Sequence, residues 1–96
     1  MALRFEWDEA KATWNLRKHG VSFEEAQTVF ADPLAVIFRD ENHSVDEIRE
    51  ILIGNSVLER LILVSFTDRG EDLVRIISAR TATRRERRDY EEGTRP

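Results

Sequence analysis

Two near-continuous apolar runs stand five residues apart in the second half of the chain: RLILVSFT (Arg60 to Thr67) and LVRIISA (Leu73 to Ala79). Leu, Ile, Val and Phe fill them without the alternation of a half-exposed strand, which is the pattern of strands buried on both faces in the middle of a sheet. The residues between them, Asp68-Arg69-Gly70-Glu71-Asp72, are turn-rich, so the two runs read as a hairpin. Leu34 to Arg39 and Glu50 to Gly54 read as two earlier strands. A polar connection from Asp40 to Glu47, containing His43, joins them, and Gly54-Asn55-Ser56 marks the following turn. Four strands in succession predict an antiparallel meander.

A short strand and two helices precede the meander. Leu3, Phe5 and Trp7 alternate with Arg4 and Glu6, the period-2 pattern of a first strand. Asp8 caps a helix running to about His19, with Ala10 and Trp14 expected to face inward and Gly20 suited to the left-handed position after its end. Immediately afterwards Ser22 with Glu25 fits a capping box, and Val21 with Ala26 a hydrophobic staple. The second helix presents Phe23, Ala26, Val29 and Phe30. Asp32-Pro33 ends it, because the residue before proline is steered away from helical angles. The predicted fold is α+β, ordered β-α-α-β-β-β-β-α, with both early helices on one face of a mainly antiparallel sheet. The opposite face or its rim is left partly open, and function is expected there.

The last element carries the charge. Thr83 followed by Glu86 fits another capping box, so a helix should begin near Arg84. From there to Glu92 the only large apolar side chain is Tyr90, which leaves almost no face with which to join a core. Arg84, Arg85, Arg87 and Arg88 crowd its start, where the helix dipole prefers negative charge. Two readings fit. Either the helix is solvated and held by pairs of Arg85 with Asp89, Arg87 with Glu91 and Arg88 with Glu92, or its arginines meet an anion or an acidic partner. Residues 93–96 read as a loose tail, so one domain is expected over residues 1–92.

Composition narrows the classes. A chain of 96 residues supports one small core, burying about 60–65% of the unfolded surface. There is no cysteine, which excludes disulfides, thiolate chemistry and Cys-ligated zinc. No apolar run approaches the ~20 residues of a membrane span, and MALRFEWDEA lacks the apolar centre of a signal peptide, so a cytoplasmic protein is expected. The formal net charge of −4 disfavours broad attraction to nucleic acid. Its distribution is uneven: residues 1–79 hold 9 basic and 15 acidic side chains, residues 80–96 hold 6 and 4.

The two histidines, His19 and His43, lack ligand spacing, so neither a metal nor another cofactor is expected. The four glycines form no phosphate-cradling loop and no nucleophile elbow. What remains is a set of cations near predicted strand ends: Lys18 and His19 closing the first helix, Arg69 in the hairpin, Arg75 and Arg80. Arg75, between Val74 and Ile76, must lie on an exposed sheet face or be paired. Lys18 and His19 also suit a helix C-terminus for purely local reasons.

In this order these segments resemble a known family. FEWDEAKATWNLRKHGVSFEEAQTVFADP (Phe5 to Pro33), IGNS (Ile53 to Ser56), RLILVSFTDR (Arg60 to Arg69) and RIISARTATRRERRDYEE (Arg75 to Glu92) are similar to BrnT, the toxin of a type II toxin–antitoxin pair. K-H-G-V-S-F-E-E-A and I-S-A-R-x-A-x-x-x-E-R-x-x-Y carry the resemblance most specifically. It implies a RelE-like ribonuclease fold, RNA cleavage that halts translation, and neutralisation by a BrnA-like antitoxin. It also implies operator DNA contacted only through the antitoxin, and it allows a heterotetramer of the two proteins.

Carried over to this sequence, the resemblance points to His19, Arg69, Arg80 and Glu86 as catalytic and to Lys18, Arg75, Arg84 and Tyr90 as RNA-binding. The chemistry suits those residue types. A ribonuclease that uses the RNA 2′-hydroxyl as nucleophile needs no metal, only a base, a stabiliser of the phosphorane charge and an acid for the leaving oxygen. Arginines such as Arg69 and Arg80 can grip two phosphate oxygens and stay charged. A histidine can be base or acid; Glu86 is an alternative base, and Tyr90 can stack or donate a proton. A binding module of the same fold that has lost catalysis and only partners the antitoxin is the alternative. Direct DNA binding is disfavoured, because the early helices carry mixed charge and no basic recognition helix.

Overall fold

A computed structural model describes residues 2–41 and 47–93 of the chain. Its elements are β1 (Arg4–Glu6), α1 (Glu9–His19), α2 (Phe23–Val29), β2 (Val36–Arg39), β3 (Glu50–Asn55), β4 (Leu61–Gly70), β5 (Leu73–Thr81) and α3 (Arg84–Glu91), in the order the sequence predicts. The expected site of His43 and the tail after Gly93 lie outside the described residues. Strands β2 to β5 form the antiparallel meander, and β1 joins it in parallel beside β5, giving the order β1-β5-β4-β3-β2.

The central hairpin is tighter than its sequence suggests. Strand β4 continues to Gly70 and β5 begins at Leu73, so only Glu71 and Asp72 turn the chain. Both take positive φ, 55° and 63°, as a two-residue turn matching the strand twist requires. Arg69 falls at the register irregularity between Asp68 and Gly70.

Each sheet face packs differently. On one, Val21, Phe23, Ala26 and Val29 meet Leu52, Ile62, Val64, Phe66, Val74, Ile76 and Ala79. Phe30 bridges Phe5 and Phe66 edge-to-face, with ring centres 5.0 and 5.1 Å apart. On the other, Ile53, Leu61 and Leu63 receive Ala82 and Tyr90, so α3 lies across that face. Its one large apolar side chain suffices as an anchor because the Tyr90 hydroxyl also donates to the Leu34 carbonyl at 3.1 Å. The Thr83–Glu86 capping box closes in both directions, and of the three expected i,i+4 pairs Arg87–Glu91 closes, at 3.7 Å.

Two local expectations give way to tertiary contacts. Ala10 and Trp14 face outward, Trp14 with 64% of its surface exposed, and the buried residue of α1 is Asn15. Ser22 does accept the Glu25 amide at 3.0 Å, but the Glu25 carboxylate does not fold back to complete the box. It accepts from Ser56 Oγ at 2.7 Å, from Arg60 Nε at 2.9 Å and from the Arg60 terminal nitrogen. A charged partner on β4's approach outcompetes a local backbone amide. Gly54 has a packing reason of its own: a Cβ there would stand 2.8 Å from the Ala35 Cβ and 3.1 Å from Val29 Cγ1. Among the described residues no helix is long and apolar enough to cross a membrane.

Candidate functional site

Strand β1 is three residues long and pairs only with Leu73 to Arg75, so the rest of β5 would be a bare edge. Asn15 occupies that edge. Its Nδ2 donates to the carbonyls of Ala79 and Val21 at 2.8 and 2.9 Å, and its Oδ1 accepts the Ala79 amide at 3.0 Å. One turn on, His19 shares Asn15's side of the helix. It is thereby brought beside Ala79 and Arg80, where it lines a cavity of about 390 Å³. Leu63, Ile51, Ser65, Ser78, Asp40 and Arg49 complete the walls.

Arg80 is held rigidly at this cavity. Its two terminal nitrogens each donate to one oxygen of Glu86, both at 2.8 Å, and Glu86 Oε1 also accepts the Thr83 amide at 2.8 Å. The paired guanidinium, helped by the Thr83 amide and opposed by partial burial, pushes the Glu86 carboxyl down to about 2 and raises Arg80 further. Arg80 keeps 41% of its side-chain surface exposed. The result is a fixed, permanently charged donor at the rim of a concave site.

Arg69 and Arg75 assemble separately. Arg75 alternates with the core residues Val74 and Ile76, and because the register shift at Ile77 moves the alternation by one residue, it shares its sheet side with Ser78 and Arg80. It pairs with Glu6 at 3.1 Å, and Arg69 reaches the same carboxylate at 3.8 Å. Neither lines the cavity. Lys18 lies over the Trp14 ring, 6.0 Å from its centre. Arg84 is exposed at the first position of α3. Tyr90 packs under α3, where burial and Asp32 raise its hydroxyl; it does not line the cavity.

The structure therefore joins His19, Arg80 and Glu86 in one place and sets Arg69 with Arg75 around Glu6. Sequence reasoning missed Asn15, Asp40, Arg49, Ser65 and Ser78. Ser65 and Ser78 had a signal, as the polar interruptions of two apolar runs; they prove to be cross-strand partners. Asn15 had none, since its partners are set by chain closure. Among the described residues no three His, Asp or Glu side chains gather as a metal centre requires.

A family model described as the ribonuclease toxin BrnT of type II toxin–antitoxin systems matches residues 7–86. The chain belongs to the BrnT family. It is thus a ribonuclease toxin of a type II toxin–antitoxin system, a class whose members have an antitoxin partner. Its fold is similar to the 1.1 Å crystal structure of the Brucella abortus ribonuclease toxin BrnT, with 26% identity and a TM-score of 0.67, covering 86% of this chain and 100% of that one. A search of curated proteins returned no match.

The BrnT-like motifs acquire physical reasons here. In K-H-G-V-S-F-E-E-A, Gly20 takes φ 69° to end α1, Ser22 caps α2, and Glu25 ties α2 to the turn before β4. In I-G-N-S, Gly54 lets β3 approach Ala35 closely, and the Asn55 amide donates to Asp32 at 2.7 Å. These parts of the BrnT pattern are scaffold. The I-S-A-R segment, by contrast, supplies Ser78 and Arg80 to the cavity, with Asn15 pinning the Ala79 between them.

Proposed function

We propose that this chain cuts RNA without a metal ion, by attack of a 2′-hydroxyl on the adjacent phosphorus, in the cavity lined by His19 and Arg80. The observation that carries the reading is the pairing of a histidine with a locked, half-exposed arginine in one concave site. The 2′-hydroxyl gives its proton to a base as its oxygen bonds to phosphorus, and the P–O5′ bond breaks with proton delivery to the departing oxygen. The products are a 2′,3′-cyclic phosphate and a 5′-hydroxyl. Histidine is the side chain suited to carry a proton in such a step at neutral pH. Arg80 neutralises the charge that builds on the non-bridging oxygens.

Glu86 is then a positioning residue rather than the base. A carboxyl held at about 2 by Arg80 is a poor proton acceptor near neutral pH, and both its oxygens are occupied. Arg75 lies five residues from Arg80 on β5, roughly 15 Å at the usual rise of a strand. Together with Arg69 it suits the flanking phosphates of a strand laid along the open sheet face. Lys18 and Arg84 at the margins suit the same backbone. Neutralisation by a BrnA-like antitoxin, with operator contacts made through that partner, completes the reading.

The test is cleavage of a defined RNA by the purified chain in EDTA, with the new ends identified, beside His19→Ala and Arg80→Ala variants of equal thermal stability. Cyclic or 3′-phosphate ends from the unmodified chain alone are expected. Cleavage that stops in EDTA, or that both variants retain, overturns the mechanism. No cleavage of free RNA, with antitoxin binding intact, favours a binding module of the same fold.

A further inference from the structure

We infer that Trp14 and the cations around it form a stacking platform for a base of the RNA strand entering the His19–Arg80 cavity. The inference rests on the ribonuclease mechanism proposed above and adds a residue that sequence patterning had assigned to the core. Trp14 leaves 64% of its surface in solvent, ~100° around α1 from the buried Asn15. Lys11, Trp14 and Lys18 follow one another at helical spacings of three and four residues, and Arg17 flanks them; all are exposed. The chain carries a net −4, yet residues 10–23 contain no carboxylate at all. Beyond Glu9, this stretch of α1 therefore favours a polyanion over a neutral or basic partner.

The helix dipole accounts for Arg17, Lys18 and His19 in the last turn. It does not account for an exposed indole among them. An aromatic face beside cations is the arrangement that holds a single-stranded nucleic acid, the ring taking a base and the ammonium or guanidinium groups the phosphates on either side. His19 is five residues beyond Trp14, roughly 7.5 Å along the helix axis and ~140° around it, and α1 ends at His19, so a strand leaving the cavity rounds that end of the helix and reaches the ring beyond the nucleotide next to the cavity. Lys18, over the Trp14 ring at 6.0 Å and next to His19 in the chain, stands between the two.

The probe is a fluorescein-labelled 2′-O-methyl octanucleotide, which lacks the nucleophile and so binds without being cut. Its affinity is read by anisotropy for the unmodified chain, Trp14→Ala and Trp14→Phe. Trp14→Ala is expected to weaken binding roughly tenfold, within the range of one lost base stack, while Trp14→Phe stays within about threefold because a ring remains. Melting temperatures should match, since the indole is exposed. Equal affinity of Trp14→Ala and the unmodified chain overturns the platform and leaves the ribonuclease reading standing. If the unmodified chain neither binds the oligonucleotide nor cleaves RNA, both fall together. Unchanged RNA affinity with weakened antitoxin binding assigns the indole to the protein interface and also overturns the platform.

Discussion

Asn15 completes the sheet edge that β1 leaves open by exchanging two hydrogen bonds with the backbone of Ala79, donating at 2.8 Å and accepting at 3.0 Å. A side-chain amide stands in for a strand, and it does so next to Arg80. With Asn15 only 4% exposed, removing it leaves the Ala79 amide and carbonyl and the Val21 carbonyl without partners. Each such group costs ~1–3 kcal/mol, less where water can enter. Asn15→Ala is expected to lose about 3 kcal/mol in urea unfolding, and Asn15→Asp, which cannot donate to either carbonyl, a similar amount. A loss below ~1 kcal/mol would show that the edge is held by something else.

Arg80 and Glu86 should separate in kinetics. In the proposed mechanism Arg80→Ala removes the charge that faces the reacting phosphate, and it is expected to slow single-turnover RNA cleavage by about 100-fold or more, the usual cost of one transition-state donor. Glu86→Gln keeps a single acceptor oxygen, which can still take one Arg80 nitrogen and the Thr83 amide as Oε1 does, so a loss of about tenfold is expected. A loss as large as that of Arg80→Ala would restore Glu86 as the general base, whose removal costs ~10²–10⁴-fold.

The same pair sets an acid limit on stability. Glu86 ionises at about 2 in the fold, against 4.5 for a free glutamate, so the folded state binds its proton more weakly than the unfolded state. Its contribution is complete above about pH 4.5 and is lost as pH falls toward 2. The full shift corresponds to ~3 kcal/mol; with Arg80 41% exposed, screening reduces this to ~1 kcal/mol. Urea unfolding of the parent and Glu86→Gln should therefore differ by about that amount at pH 6 and converge by pH 2–3. A gap that persists at the acid end would remove the ion pair as its cause.

Glu25 and Arg60 predict an asymmetry. Glu25's side chain is 5% exposed and Arg60's 38%. Arg60→Ala strands a buried carboxylate and is expected to cost ~3 kcal/mol. Glu25→Gln leaves an arginine that can still reach water and donate to the Gly20 carbonyl at 3.0 Å, and should cost about half as much. Arg60 hydrogen bonds hold the Glu25 carboxyl low against burial. Without them burial raises it, so the Arg60→Ala deficit should shrink as pH falls from 7 to 5. Equal costs for the two variants, flat with pH, would contradict this account.

What the sequence by itself determined lies within a few residues along the chain. The hairpin runs were legible because burial on both faces demands continuous apolar residues. The caps at Asp8, Ser22 and Thr83, and Gly20 in the left-handed region, were legible because a helix end satisfies its own amides locally. Family membership followed from the same short segments.

Tertiary structure alone decided the rest. It turned Trp14 outward, because α1 docks on a strand edge through the polar Asn15 and not through an apolar stripe. It drew Glu25 away from its capping box to Arg60, 35 residues distant. It brought His19 to Arg80 and left Arg69 with Arg75 at Glu6. Backbone angles and caps are fixed by neighbours in sequence, whereas these contacts exist only once a sheet of order β1-β5-β4-β3-β2 has closed and ranked the partners each side chain can reach.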